Sequence, residues 1–390
     1  MQAGRSTRRF TNAGRVTTSA QKLVRYLLDT GLIDAASVVD GKLLINDSTR
    51  RHRNFKVTVR GAPGCFVKQV QAGQAMADQS LHREAVCYWL VANDPRFGAL
   101  RALLPAFRGY DGSHQTLVLE LLPEAENITE YHQRLGHFPV DVAALLGTEL
   151  GRAHMGVGAD LAHCGTPGTG LDVFPRAVPW ILSIHTMLAT QFERLSSANA
   201  QILDIVRQYP EFQSTLDALR AAWHVNGLIH GDMKWDNCLV TSGPQDPARR
   251  RLYIVDWELA DFGDVCWDVG AIFQSYLSTW ILSMPQHDEV RAELLLAQAK
   301  SPLDAMQPAI AAFWQSYLAV RDASPEAAAA LLTRCVQYAA ARMIQTAYEH
   351  MSYAPAVTAS TLRMLQVSIN VLIRPADAIR DLLGLAGTAQ

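Results

Sequence analysis

The chain has 390 residues, with 35 Lys and Arg against 37 Asp and Glu, a formal charge of −2. Hydrophobic residues make up 49% and charged ones 18%, the composition of a globular protein rather than a disordered or fibrous one. The near-neutral balance excludes a dedicated nucleic-acid binder, and six scattered cysteines with no CxxC pair exclude a zinc ribbon and favour reduced thiols.

The first 28 residues carry Arg5, Arg8, Arg9 and Arg15 among Ser and Thr, with no acid before Asp29. A transit peptide and a solvated tail share that composition; the tail is the preferred reading, and a cytoplasmic address goes with it. The most apolar long run, Val265 to Met284, is interrupted by Asp268 and Gln274, so no membrane span is expected.

Ser19 to Leu32 has helical spacing of Leu23, Tyr26, Leu27 and Leu32. The period then shortens. Lys42 to Ile45, Phe55 to Val59 and Cys65 to Val70 read as strands, with Gly61-Ala62-Pro63-Gly64 turning between the last two. Ser80 to Val91 reads as a helix, and Pro105 to Tyr110 and Thr116 to Leu122 as two more strands around Asp111-Gly112. After Leu122-Pro123 the pattern turns helical: Val140 to Met155, Pro179 to Leu195, Gln201 to Tyr209 and Phe212 to Val225, with a Gly-rich loop at 165–170. Short apolar runs at Gly227–Ile229, Asn237–Val240 and Leu252–Val255 form a β interlude, and everything from Val269 on is helical. Ser301-Pro302 and Ser324-Pro325-Glu326 mark helix starts, a capping hydroxyl followed by proline. The fold class is therefore α+β. A tail and short helix (1–35) precede a small five-stranded lobe with one main helix (36–122) and a large, mostly helical lobe (123–390).

Chemistry concentrates in His230-Gly231-Asp232-Met233-Lys234-Trp235-Asp236-Asn237 and Ile254-Val255-Asp256-Trp257-Glu258. Asp232, Asn237 and Asp256 each lie at the edge of a short apolar strand. Oxygen ligands so placed suit a hard divalent cation, with one carboxylate to spare for an incoming hydroxyl. Any one of the three alone reads as a turn-former or strand cap; the three in this order do not.

His-Gly-Asp-x-x-x-x-Asn followed by an Asp-Trp-Glu strand end resembles the aminoglycoside phosphotransferase and choline kinase group, relatives of the protein kinases. The resemblance implies a bilobal protein-kinase-like fold and ATP and Mg²⁺ as cofactors. Asp232 would orient or deprotonate the acceptor hydroxyl, and Asn237 and Asp256 would be metal ligands. It further implies that His230 is scaffold and that Asp268 braces the catalytic loop. Lys68, inside an apolar strand, and Glu84, on the following helix, match the lysine–glutamate pair that holds the α- and β-phosphates. Glu120 and Leu122 fall on the strand that would meet the adenine, and Leu146-Gly147, Leu150-Gly151 and His154 on the first large-lobe helix. No G-x-G-x-x-G loop is present; the corresponding segment runs from Ser48 to Asn54, and its arginines suit phosphate. Gly231 replaces the arginine of the protein-kinase HRD motif, which removes a reader of activation-loop phosphorylation. Lys234 stands two residues after the catalytic aspartate, where it could contact the γ-phosphate.

The function implied is transfer of a γ-phosphate to a hydroxyl of a small molecule or natural product. The alternatives are a Ser/Thr kinase acting on a peptide and a catalytically silent scaffold. The quintet Lys68, Glu84, Asp232, Asn237 and Asp256 argues against the scaffold, and the lack of G-x-S-x-G and HExxH argues against a hydrolase. Sparse acids in the helical tail argue against a polycationic aminoglycoside acceptor.

Overall fold

The computed structural model describes residues 20–48, 53–70, 75–158, 171–191, 195–241, 250–285 and 296–385. The N-terminal tail, the loop at 165–170 and the arginines of the basic hairpin tip (Arg50 and Arg51) lie outside them. The chain divides into two compact units, Met1–Ala125 with Thr241–Ala260, and Glu126–Val240 with Asp261–Gln390.

The first unit is built on an antiparallel sheet of five strands: β1 (Leu43–Asp47), β2 (Arg53–Val59), β3 (Ala62–Gln69), β4 (Phe107–Asp111) and β5 (Thr116–Glu120). Their spatial order is β1-β2-β3-β5-β4. Alternation sets the faces: Phe55, Val57 and Val59 are buried while Lys56 and Thr58 are exposed. These residues, with Cys65, Val67 and Val118, form one core with Leu23, Leu27 and Ile33. Leu23 and Leu27, four residues apart on α1 (Ala20–Asp29), share the stripe that covers this face. The turn between β2 and β3 is tighter than expected. It uses only Arg60 and Gly61, and Gly61 takes a positive φ of 84°, which a residue without a Cβ adopts at no steric cost. A short α2 (Ala35–Val39) precedes β1, and α3 (Ala75–Asn93) lies between β3 and β4 in the chain. The five strands and single long helix match the expectation.

The second unit is mostly helical: α4 (Ile128–Leu135), α5 (Val140–Gly156), α6 (Ser197–Arg207), α7 (Pro210–Ala221), α8 (Cys266–Leu282), α9 (Leu303–Ala319), α10 (Pro325–His350) and α11 (Ala359–Ile373). Capping fixes several starts. Asn127, Ser196, Ser324 and Thr358 each accept a backbone N–H from the first turn of their helix, and Pro325 opens α10 as expected. At Ser301-Pro302 the proline is the cap itself and α9 starts at Leu303. Close approach replaces side chains at two crossings. A Cβ on Gly147 of α5 would lie 2.1 Å from the Phe313 carbonyl oxygen of α9, and one on Gly270 of α8 would lie 2.6 Å from that of Cys335 on α10.

One expected helix is absent. Over 179–191 the chain makes isolated 3₁₀ turns, Trp180–Ser183 and Ala189–Gln191. Ile181, Leu182, Ile184 and His185 are buried while Trp180 and Leu188 are exposed, so the segment keeps a helix-like apolar spacing without forming a continuous α-helix. Two short strands, β7 (Gly227–Ile229) and β10 (Asp261–Gly263), pair antiparallel within this unit. They are separated in the chain by β8 (Cys238–Thr241) and β9 (Arg251–Ile254), and β6 (Ala125–Asn127) precedes α4. No helix among the described residues is long and apolar enough to cross a membrane.

Candidate active site

In the first unit, alternation on β3 turns Val67 into the core and Lys68 to the opposite face, towards α3. There Lys68 Nζ lies 2.8 Å from both oxygens of Glu84 and 2.6 Å from Asp256 Oδ1. Lys68 and Glu84 are buried and Asp256 is half-buried. Burial pulls the Lys68 ammonium down, but the two carboxylates outweigh it and hold the lysine protonated. Burial pushes the Glu84 carboxyl up, against the pull of Lys68. Asp256 follows β9 with φ 71° and ψ 51°, a left-handed conformation that costs a non-glycine residue about 1 kcal/mol or more. Behind it, the Trp257 indole donates to the Ile254 carbonyl, and Ser80 Oγ donates to Glu258. The strained backbone is therefore tied on both sides of the carboxylate.

The remaining candidates of this unit sit at its strand ends. Ser48 N–H and Oγ both donate to the Asn54 carbonyl, closing the hairpin between β1 and β2. Asn54 Oδ1 is buried without a hydrogen-bond partner among the described residues. Glu120 exchanges backbone and side-chain bonds with Ala106: its N–H donates to the Ala106 carbonyl, and its carboxylate accepts the Ala106 N–H. Leu122 lies just past β5, its carbonyl accepting from Ala125 N–H.

In the second unit, the segment after β7 carries Asp232, Lys234 and Asn237. Gly231, at φ 80°, makes the turn that a Cβ would strain. Asp268, in the first turn of α8, accepts the N–H groups of both His230 (2.6 Å) and Gly231 (3.1 Å). Burial opposes the charge on Asp268, yet His154, His230 and the His230 N–H hold its carboxyl below the usual range. His154 in turn reaches the Tyr317 hydroxyl at 3.0 Å. The bracing role expected of Asp268 thus has a concrete form, two backbone amides on one buried carboxylate.

Asp232 itself lies between two cations. Lys234 Nζ is 2.6 Å from Oδ2, and Arg342 Nη2 is 3.2 Å from Oδ1. Burial pushes the Asp232 carboxyl up, but Arg342, Lys234 and His230 outweigh it and keep it below the ordinary carboxylate range. It is an anion at neutral pH. Asn237 Nδ2 donates to the Asp232 carbonyl at 2.9 Å, which leaves Oδ1 as the amide's acceptor atom for a cation. Trp235 packs edge-on against His132 (4.6 Å) and Tyr276 (4.7 Å), anchoring the loop to α4 and α8.

Two features were not foreseen. Arg342, on α10, is the larger omission; its only sequence signal is a single arginine inside Tyr338-Ala339-Ala340-Ala341-Arg342-Met343-Ile344. The other is a literal Asp-Phe-Gly at 261–263, on β10. Asp261 accepts the N–H groups of Arg176 and Ala177 at 2.7 and 2.8 Å, so it staples a loop, and it is Asp256 that meets the lysine. Among the described residues, no group of three His, Cys, Asp or Glu side chains could hold a metal ion unaided. A cation here would need further oxygens, such as those of phosphate.

The phosphotransferase enzyme family matches residues 45–313. No protein of curated function matches the sequence. Among solved structures, the chain is similar to the GDP complex of wild-type aminoglycoside 2'-phosphotransferase-IIIa, with a TM-score of 0.53 and 12% identity over 90% of this chain and 99% of that one. It is also similar to choline kinase from Cryptosporidium parvum Iowa II, with a TM-score of 0.50 and 12% identity over 95% and 99%. These likenesses bear out the kinase-like fold, and the family match covers more than two thirds of the sequence. The chain belongs to the phosphotransferase enzyme family.

Proposed function

We propose that the protein transfers the γ-phosphate of ATP, with Mg²⁺, to a hydroxyl of a small molecule or natural product. The observation that carries this reading is the anionic Asp232, held between Lys234 and Arg342 on a loop pinned by Asp268. In such a transfer the acceptor oxygen attacks the γ-phosphorus as the bond to the β–γ bridging oxygen breaks, and the diphosphate leaves with the electron pair. Asp232 accepts the hydroxyl's hydrogen bond and then its proton, which passes on to water. A carboxylate this acidic orients the hydroxyl more than it deprotonates it early, as a loose transition state allows.

The other residues divide the remaining work. Lys68, kept charged by Glu84, neutralises the α- and β-phosphates, and the Asp256 carboxylate and Asn237 Oδ1 supply oxygens to the metal. Glu120 and Leu122 offer backbone groups to the base, and Ser48 and Asn54 line the phosphate loop. Held by the Asp256 and Asn237 side chains, Mg²⁺ would supply positive charge to offset that developing on the phosphates. The two cations beside Asp232 disfavour a polycationic acceptor and favour an uncharged or anionic one.

The test is transfer from radiolabelled ATP, with GTP in parallel since the aminoglycoside 2'-phosphotransferase was solved with GDP. The acceptor panel holds neutral polyols, macrolides, Ser/Thr peptides and an aminoglycoside. Metal-dependent labelling of a neutral or anionic hydroxyl compound supports the reading; labelling of the aminoglycoside alone overturns the acceptor class. A wild-type rate from Asp232→Ala overturns the site.

A further inference from the structure

Arg342 carries its charge deep into the second unit: the side chain is 6% exposed. Its guanidinium spreads over one turn of chain. Nη1 donates to the Gly231 carbonyl at 3.2 Å, and Nη2 to the Met233 carbonyl at 3.3 Å and to Asp232 Oδ1 at 3.2 Å. The Trp267 ring lies beneath it, 5.3 Å from the guanidinium carbon, and the same indole donates to the Gly231 carbonyl. Desolvating a guanidinium is costly, and hydrogen bonds offset part of that cost. Here three consecutive residues, 231 to 233, take Nη1 and Nη2, while Nε is buried with no hydrogen-bond partner among the described residues, and the middle residue bears the carboxylate proposed to react.

The two cations on that carboxylate differ in kind. Arg342 takes Oδ1 from the buried side, with a rigid planar fork. Lys234 takes Oδ2 with a side chain 41% exposed. Oδ1 is thus held by a buried side chain and Oδ2 by one that solvent reaches.

We propose that Arg342 is a positioning residue for phosphoryl transfer, locking the Asp232 carboxylate by Oδ1 so that Oδ2 is the oxygen presented to the acceptor hydroxyl. The inference rests on the reading of Asp232 given above. Arg342 lies on α10, beyond the 45–313 span that the family matches. The groups facing Asp232 are Arg342 from α10 and Lys234 and His230 from its own loop. Of these only Arg342 also grips the backbone on both sides of it.

The experiment measures ATP turnover with Mg²⁺ and water as acceptor for wild type, Asp232→Asn, Arg342→Gln and Arg342→Lys. ATP affinity by calorimetry and a thermal melt accompany each variant. Arg342→Gln is expected to lose about 100-fold in kcat, the scale of a small misplacement, with ATP affinity within about twofold. Arg342→Lys is expected to recover little of that loss, because one ammonium replaces the charge and not the three-point fork. A wild-type kcat in Arg342→Gln would overturn the proposal. So would a kcat loss with a matching loss of ATP affinity, the pattern of a structural residue. Turnover by Asp232→Asn equal to wild type would instead sink the underlying assignment of Asp232.

Discussion

Lys68 Nζ sits 2.6 Å from Asp256 Oδ1, a residue 188 positions later in the chain, while keeping 2.8 Å contacts to both oxygens of Glu84. One ammonium serves two carboxylates, and Glu84 has no exposure to solvent. Removing Lys68 leaves Glu84 as an uncompensated buried charge. Lys68→Met is expected to destabilise the protein by about 3–5 kcal/mol, and adding Glu84→Leu to recover most of that loss. Denaturant unfolding of the single and double variants decides it. Equal instability in both would show that the two charges do not compensate each other.

On the proposed reading, the aspartates at 256 and 261 separate chemistry from architecture. Asp256→Ala is expected to lower phosphate transfer by about 1,000-fold or more, the scale of a lost charge-stabilising group. Asp261→Asn loses part of its grip on the Arg176 and Ala177 amides, which costs about 1–3 kcal/mol of stability and leaves kcat within a few-fold. Steady-state rates beside thermal melts test this; reversed ranks would make the Asp-Phe-Gly tripeptide the functional one.

Helix contact at Gly147 predicts an alanine substitution that harms despite better helix propensity. The new Cβ would press on the Phe313 carbonyl oxygen at 2.1 Å, so α5 and α9 must separate. Gly147→Ala is expected to destabilise by about 1–3 kcal/mol, against a propensity gain of about 1 kcal/mol. Gly109 has nothing within 4 Å of a Cβ, and Gly109→Ala is the matched control, expected within about 0.5 kcal/mol of wild type. A stable Gly147→Ala protein would contradict the close crossing.

Acid stability should turn on His132. Burial, with a smaller contribution from His137, pulls its pKa from 6.5 down to about 4. Between those values the unfolded chain binds a proton at this site and the folded one does not, so stability falls as pH falls. The loss amounts to about 3 kcal/mol when pH drops from 6.5 through 4. His132→Phe removes the titrating group from the wall that Trp235 packs on. Its stability is expected to lose that segment of pH dependence; a slope unchanged from wild type would place the acid-sensitive group elsewhere.

Much of this was legible in the chain, for identifiable reasons. The alternation of Phe55, Val57, Cys65 and Val67 exposed the sheet, and Lys68 stood out because a charge interrupts that run. Glu84, with no local reason to be buried, became readable only through the family resemblance, which pairs a strand lysine with a glutamate on the following helix. The Asp232 loop was legible because its polar residues break a short strand at fixed intervals. Local pattern misled at 179–191, where Ile181, Ile184 and His185 keep the spacing of a helix face although the chain makes only short 3₁₀ turns. It failed at Arg342 as well. An arginine in an alanine-rich helix looks the same whether it reaches water or folds inward, and only the packing of α8 and α10 settles which.

Arg342 also bears on how far this protein can be shortened. A version ending at residue 313 would retain Lys68, Glu84, Asp232, Asn237 and Asp256, every residue by which the enzyme is recognised. It would lack the guanidinium that grips the 231–233 turn, together with α10, which supplies it. On the proposed reading, such a truncation would keep the signature and still be an inadequate minimal enzyme, because part of the support for the Asp232 carboxylate is encoded outside it.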